Sequence, residues 1–224
     1  GLLNLVNRPQ WYTIPGGSQE YVKKMSSSFI DNVRLSTPVM EIRRKPNFVE
    51  IFSAAGKEQF DEVVLACHSN QALRLMQDAT IKEKEILGSI PYQRNEAVLH
   101  QDISLLPNRK KAWASWNYHL DNTHQDKVAV TYNMNILQHI PNPPYLLVTL
   151  NRKELVNPGK ILSKIDYEHP VYNEASVRAQ KRHSEISGLN RTHFCGAYWR
   201  NGFHEDGVVS AMNMLQLLEI PKAA

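Results

Sequence analysis

Several patterns are missing from this 224-residue chain, and each absence excludes something. Its ten glycines never fall as Gly-x-Gly-x-x-Gly, so the chain does not carry the turn that sets a pyrophosphate on the first helix of a dinucleotide fold. Cysteine is scarce: Cys67 and Cys195 each close an apolar strand-like segment and form no Cys-x-x-Cys pair. That usage argues against a structural zinc site and for a reducing, cytoplasmic compartment. No apolar run reaches the roughly 18 residues of a membrane-spanning helix, and the first residues show no charged-then-apolar leader pattern. The nine histidines give no His-x-x-x-His pair: His119 and His124 are five apart across an expected loop, and His204-Glu205 lacks a second histidine at helical spacing. No metal is expected. There is no Gly-x-Ser-x-Gly hydrolase elbow.

Charge of one sign is also lacking. Lys plus Arg total 26 against 22 for Asp plus Glu, a formal +4. The runs Arg43-Arg44-Lys45 and Arg109-Lys110-Lys111 sit beside expected turns and read as solvated hairpin ends, so no nucleic-acid partner is expected. Pro141-Asn142-Pro143-Pro144 is too short for an interdomain linker, and no internal repeat is visible.

What is present is concentrated near the C-terminus. Thr192-His193-Phe194-Cys195-Gly196-Ala197-Tyr198-Trp199-Arg200-Asn201-Gly202-Phe203-His204-Glu205-Asp206-Gly207-Val208 reads as a strand, a glycine-punctuated turn and a helix start. The first N–H groups of a helix lack intrahelical partners and carry the positive end of the dipole, so such a junction suits an anion or a reduced ring. Gly196, Gly202 and Gly207 would let a flat ligand approach the backbone. Asp206 reads as a helix cap. Val208, Val209, Met212, Leu215 and Leu218 recur at helical spacing, predicting a final helix with one buried face that Pro221 stops.

This stretch resembles the closing motif of the flavin-containing amine oxidoreductases, the monoamine-oxidase-like family, and within it a bacterial branch of predicted NAD/FAD-binding oxidoreductases. The resemblance implies that Gly196, Ala197, Tyr198, Phe203, His204, Glu205 and Val208 lie beside the flavin of FAD. Phe203 and Trp199 would then be candidates for the aromatic rings that flank it. On its own, Phe203 reads as core, and His204 as a polar residue bonding a loop carbonyl.

Two further segments resemble the same family. Trp11-Tyr12-Thr13-Ile14-Pro15-Gly16-Gly17-Ser18 is similar to its Gly-Gly segment, leading into a helix capped by Ser18, with Tyr21, Val22, Met25 and Phe29 at helical spacing. Residues 33–35, 39–44, 49–53 and 62–67 read as strands, with turns at 45–47 and 55–57. By resemblance Val39 contacts the adenine end of FAD, and the strand ending Ala66-Cys67 lies near the cofactor. Val39 alone reads as a sheet residue packed on the core.

In the middle, Thr80-Ile81-Lys82-Glu83 is a capping box opening a helix that Gly88 ends. Residues 97–101, 112–118, 128–134, 145–150 and 164–168 read as strands of an antiparallel sheet. Ala112, Ala114, Trp116 and Tyr118 would share one face, and Val128, Val130, Tyr132 and Met134 another. The aromatic groups form either a pocket wall or ordinary sheet core, and the resemblance makes Trp116, Tyr118, Tyr132 and Trp199 substrate-side candidates. Asn173 caps a helix expected to run to about Glu185, with Gly188 as its stop. Oxidases of the family commonly hold a water near the flavin with a lysine, at a position falling near Tyr92-Gln93-Arg94-Asn95-Glu96-Ala97-Val98; that run has no lysine.

The expected fold class is therefore α+β: an incomplete α/β FAD-binding type, part of a Rossmann-like FAD/NAD(P)-binding domain, with a substrate domain built on a mainly antiparallel sheet. Residues 1–76 would give the Gly-Gly helix and adenine-side strands, 77–188 the substrate domain, and 189–224 the flavin-facing strand and helix. The family places this order of segments well after its N-terminal fingerprint, so the expectation is the C-terminal part of an FAD-dependent oxidoreductase acting on a small or apolar molecule. A chain this short of the fingerprint would hold FAD weakly or not at all. The other reading is a non-catalytic module that keeps the fold and binds a partner or small ligand.

Overall fold

The computed structural model describes residues 6, 10, 12–120, 129–141 and 143–218. The readings at Trp11, His124, Val128, Asn142 and Pro221 lie outside these. In chain order the elements are α1 (Gln19–Ser26), β1 (Val39–Arg44), β2 (Val49–Ser53), β3 (Gly56–Phe60), β4 (Val63–Leu65), α2 (Ser69–Leu75), α3 (Ile81–Gly88), β5 (Tyr92–His100), β6 (Trp116–Tyr118), β7 (Val130–Asn133), α4 (Met134–Leu137), β8 (Leu147–Leu150), β9 (Ile161–Pro170), α5 (Glu174–Gln180), β10 (Thr192–Phe194) and α6 (His204–Leu215). The expected α+β class holds. The chain forms two compact units, one of residues 1–33 with 94–167 and the other of 34–93 with 168–224. These boundaries cut the chain differently from the three segments expected.

The first unit is built on a five-stranded sheet of order β6-β7-β8-β5-β9, whose pairs include Trp116↔Tyr132, Thr131↔Thr149 and Val98↔Thr149, all antiparallel. Residues opposite one another in antiparallel strands share a face. Asn117, Thr131, Thr149 and Val98 therefore line up on one side, and all four are buried. Leu105, Val156 and Ile161 pack with Val98 over that side. The strand expected from residue 112 shrinks to β6. Lys110–Ala112 forms a 3₁₀ turn instead, with Trp113 Nε1 donating to the Pro107 carbonyl at 2.7 Å and Asn117 Nδ2 to that of Ala114 at 2.7 Å. Met134 leaves the expected strand because the Asn133 carboxamide oxygen accepts from Ile136 N–H at 3.3 Å and starts α4. Ser18 makes no side-chain cap bond, and α1 buries none of its residues.

The second unit holds the antiparallel sheet β1-β2-β3, the parallel pair β4-β10 and helices α2, α3, α5 and α6. Its core centres on Ile42, Val49, Leu65, Ile86, Leu87, Ile186 and Phe194. The Thr80 capping box forms as read: Glu83 N–H reaches Thr80 Oγ1 at 3.2 Å, and Thr80 N–H reaches Glu83 Oε2 at 2.7 Å. Residues 33–35 form no strand, since Ser36 at φ 53 turns the chain and Leu35 stays exposed. Helix α5 ends at Gln180 and a separate 3₁₀ turn covers His183–Glu185. The final helix inverts expectation: Asp206, Ser210 and Met214 are buried, while Val208, Met212 and Leu215 are 50%, 59% and 44% exposed.

Candidate functional site

The junction read first in the sequence is positioned by a parallel strand pair. Thr192, His193 and Phe194 pair with Val63, Val64 and Leu65, and Cys195 N–H continues the ladder to the Leu65 carbonyl at 3.2 Å. Parallel pairing brings the carboxyl ends of both strands to one edge. There Ala66-Cys67-His68 leads into α2, and Gly196 through Phe203 leads into α6. All three residues of β10 are buried, although it pairs only with β4, and the buried His193 ring bonds the Glu62 carboxylate.

Helix α6 is anchored from within. Asp206 Oδ2 accepts from Phe203 N–H at 3.0 Å, and its other oxygen lies 3.3 Å from Arg200 Nε; Phe203 holds the cap position, and Asp206 closes the helix start from the third helical residue instead of from the cap position that the sequence suggested. Ser210 Oγ accepts from Gly196 N–H at 3.0 Å, tying the helix to the turn. Gly207 lets the helix approach Ala197, whose Cβ would be 4.0 Å from a Cβ at residue 207.

The other glycines meet internal demands. A Cβ on Gly196 would stand 2.6 Å from Tyr198 Cε1, and one on Gly202 would stand 2.8 Å from the Tyr172 hydroxyl. The space they leave is filled by the protein's own tyrosines, whereas the sequence reading reserved it for a ligand. Burial pushes the Tyr172 phenol up to about 12, with Asp206 adding to the rise, and pushes Tyr198 well above the usual range. It also raises both Cys67 and Cys195, so neither thiol is poised as a nucleophile.

The residues expected beside a flavin fall into two groups. Ala66, Phe203, His204, Glu205 and Val208 are exposed at the edge where the strands end, with Cys67, Gly196 and Ala197 half-buried. Tyr198 is 4% exposed. Val39 opens β1 opposite Ser53 and is partly exposed. Trp199 is buried, packed edge-on against His183 at 4.5 Å between ring centroids and tilted against Tyr198 at 5.1 Å. His183 in turn donates from Nε2 to the Phe194 carbonyl at 2.7 Å.

Sequence reasoning missed the start of α2. His68 Nδ1, Ser69 Oγ and Asn70 Oδ1 are buried without hydrogen-bond partners, while Tyr92 Oη accepts from Ser69 N–H at 3.0 Å and the Tyr92 ring stacks on His68 at 4.6 Å. Burial lowers the His68 pKa, keeping the ring neutral. Buried polar atoms left unpaired are costly, so these three at a strand's carboxyl end are candidates to pair with a polar group that approaches there. The only sequence signal was a Ser-Asn pair after the Val-Val-Leu-Ala-Cys run.

In the first unit, Trp116 and Tyr132 meet edge-on across β6 and β7, with ring centroids 6.0 Å apart. Trp116 is 53% and Tyr118 61% exposed, so this side of the sheet is open. Among the described residues no cluster of His, Cys, Asp or Glu is arranged to hold a metal, and no helix is long and apolar enough to cross a membrane.

Strand, turn and helix repeated on a parallel pair define a piece of an open α/β fold, in which ligands bind outside the carboxyl ends of the strands. Solved structures similar to this chain include oxidases and an isomerase. The chain is similar to cyclohexylamine oxidase from Brevibacterium oxydans (TM-score 0.62, 14% identity, 90% of this chain and 52% of that one). It is also similar to a fatty acid isomerase that produces CLA, from P. acnes (0.60, 12%, 91% and 52%), and to putrescine oxidase solved with putrescine (0.56, 13%, 91% and 52%). The chain spans about half the length of each. No protein-family model and no curated protein matches the sequence. The fold is the one that the resemblance to flavin amine oxidases implied.

Proposed function

We propose that this chain is the C-terminal part of an FAD-dependent oxidoreductase and that the edge where β4 and β10 end faces the flavin. One observation carries the reading: unpaired buried polar atoms at the start of α2 and an exposed apolar tip on α6 flank the same carboxyl-terminal strand edge, in a fold shared with amine oxidases. Ser69 and Asn70 would hydrogen-bond the cofactor, Phe203 and Val208 would cover a ring face, and His204 and Glu205 would present the first turn of α6 to it. FAD, when bound, supplies the hydride acceptor.

The chain's own contribution is electrostatic and steric. The amino end of α6, fixed by Asp206 and Ser210, favours negative charge in front of it. The Arg200 pairing offsets the charge of Asp206, while Glu205 in the same turn adds a carboxylate that works against that field. Val39 would lie toward the adenine end, and Tyr198 would support Gly196 from behind. Trp116, Tyr118 and Tyr132 would line the substrate side of the first unit. No lysine occurs in the Tyr92–Val98 run, so the reading is oxidation or desaturation of a small apolar molecule, with amine chemistry left aside.

The test is the visible spectrum of the longer polypeptide that contains this chain, purified from its host. Flavin absorbance, present as isolated or gained on adding FAD, is expected. A colourless protein that gains none contradicts the proposal.

A further inference from the structure

Three buried groups and the half-buried His119 form an unbroken chain across the sheet of the first unit. His100 Nε2 lies 2.7 Å from Thr149 Oγ1, Thr149 Oγ1 lies 2.7 Å from Thr131 Oγ1, and Thr131 Oγ1 lies 2.7 Å from His119 Nε2. Its direction is set at one end. Asp102 N–H donates to His100 Nδ1 at 3.1 Å, so in the neutral ring Nε2 carries the proton. His100 then donates to Thr149, which has one hydroxyl proton and passes it to Thr131, and Thr131 donates to His119 Nε2. His119 is left as the Nδ1–H tautomer, with that donor directed by neither threonine.

His119 lines a cleft of about 730 Å³, together with Leu106, Pro107, Trp116, Tyr118 and Leu155. That volume suits a small organic molecule. The exposed basic run Arg109-Lys110-Lys111 leads directly into Ala112 on the cleft wall. Leucine, proline and aromatic side chains set among polar atoms of Ser104 and Asn117, one N–H donor left over on His119 and a cationic border call for an apolar body with an anionic acceptor at one end. We infer that this cleft is a binding site for a small apolar carboxylate, whose oxygen accepts from His119 Nδ1–H and whose hydrocarbon part lies against Leu106 and Leu155. The cleft shares Trp116 and Tyr118 with the substrate side proposed above and so rests in part on that reading, but its binding test needs no flavin and the two fail on different readouts.

Binding of 4-phenylbutyrate and of 4-phenylbutanol to the 224-residue chain tests it, followed by NMR. The carboxylate is expected to bind about tenfold more tightly than the alcohol, the scale of one hydrogen bond to a charged group. His119→Phe should bring the two probes to within about twofold. Leu155→Trp, at a half-exposed position, should block both. Thr131 is a positioning residue: ¹⁵N shifts should show His119 protonated at Nδ1 in the wild type, and Thr131→Val should mix the tautomers and shrink the carboxylate preference. Equal binding of the two probes to the wild type, no binding of either, or a preference that survives His119→Phe would overturn the inference.

Discussion

The ring of Tyr198 lies so close to Gly196 that a Cβ on residue 196 would stand 2.6 Å from Cε1 and 2.8 Å from Cδ1. Residue 196 also has φ +156, a value that side-chain-bearing residues rarely adopt. Gly196→Ala should therefore destabilise the fold by about 1–3 kcal/mol, through overpacking and backbone strain together. Tyr198→Phe makes the complementary test. Its hydroxyl is buried with no partner of acceptable geometry, so removing it should leave stability unchanged or raise it by up to about 1 kcal/mol. Urea denaturation of each variant measures both.

Arg44 and Glu83 form an ion pair whose side chains are 4% and 2% exposed, bridging β1 and α3, with Asp78 3.0 Å from Arg44 Nε. Burial pushes the Glu83 pKa up, but the Arg44 bonds and Thr80 N–H outweigh it, leaving the carboxyl below its ordinary value. Glu83→Ala strands a buried guanidinium and should cost about 3–5 kcal/mol. The measurement is again the denaturation midpoint. A loss under about 1 kcal/mol would show that Asp78 alone satisfies Arg44.

These two cases show what a sequence discloses. The Thr80–Glu83 box was legible because capping is local, four residues long and chemically marked. The partnership of Gly196 with Tyr198 was half legible: the glycine was visible, but its neighbour was taken to be a ligand. Strand β3 escaped because Lys57, Glu58 and Gln59 form a polar edge with no alternation to read. Helix α2 escaped because it spans seven residues without a hydrophobic period. The pairing of β4 with β10 joins distant segments and leaves no local trace. Periodicity located α6 and misassigned its faces, since small residues, Gly207 and Ser210, allow the close approach on its buried side.

Acid should weaken the first unit through Asp102. Burial would raise its pKa, but Asn157 N–H at 2.9 Å, the Ser104 hydroxyl at 2.9 Å and Lys160 at 3.2 Å hold the carboxyl down at about 2. A depressed carboxylate contributes fully above its unfolded value of about 4, and that contribution fades as pH falls toward the folded value. Stability measured from pH 6 downward should fall in that window, and Asp102→Asn should flatten the fall.

The threonine chain makes a signed prediction about His119. Protonating its Nε2 would set two donors against each other along the chain, while burial and the Arg152 charge already lower this pKa. Thr131→Val removes the opposing hydroxyl, so the His119 pKa should rise, read by NMR titration. A fall would mean that the hydroxyl accepts from His119 and that the chain runs the other way.

Placement of the flavin at the exposed strand edge is tested most directly by Ala66→Trp in the longer polypeptide. Ala66 is exposed, so a bulky side chain there should leave the unfolding free energy of the flavin-free protein within about 0.5 kcal/mol of wild type. The account predicts that the flavin-to-protein ratio, about one in the wild type, drops sharply in this folded variant. An unchanged ratio would contradict it.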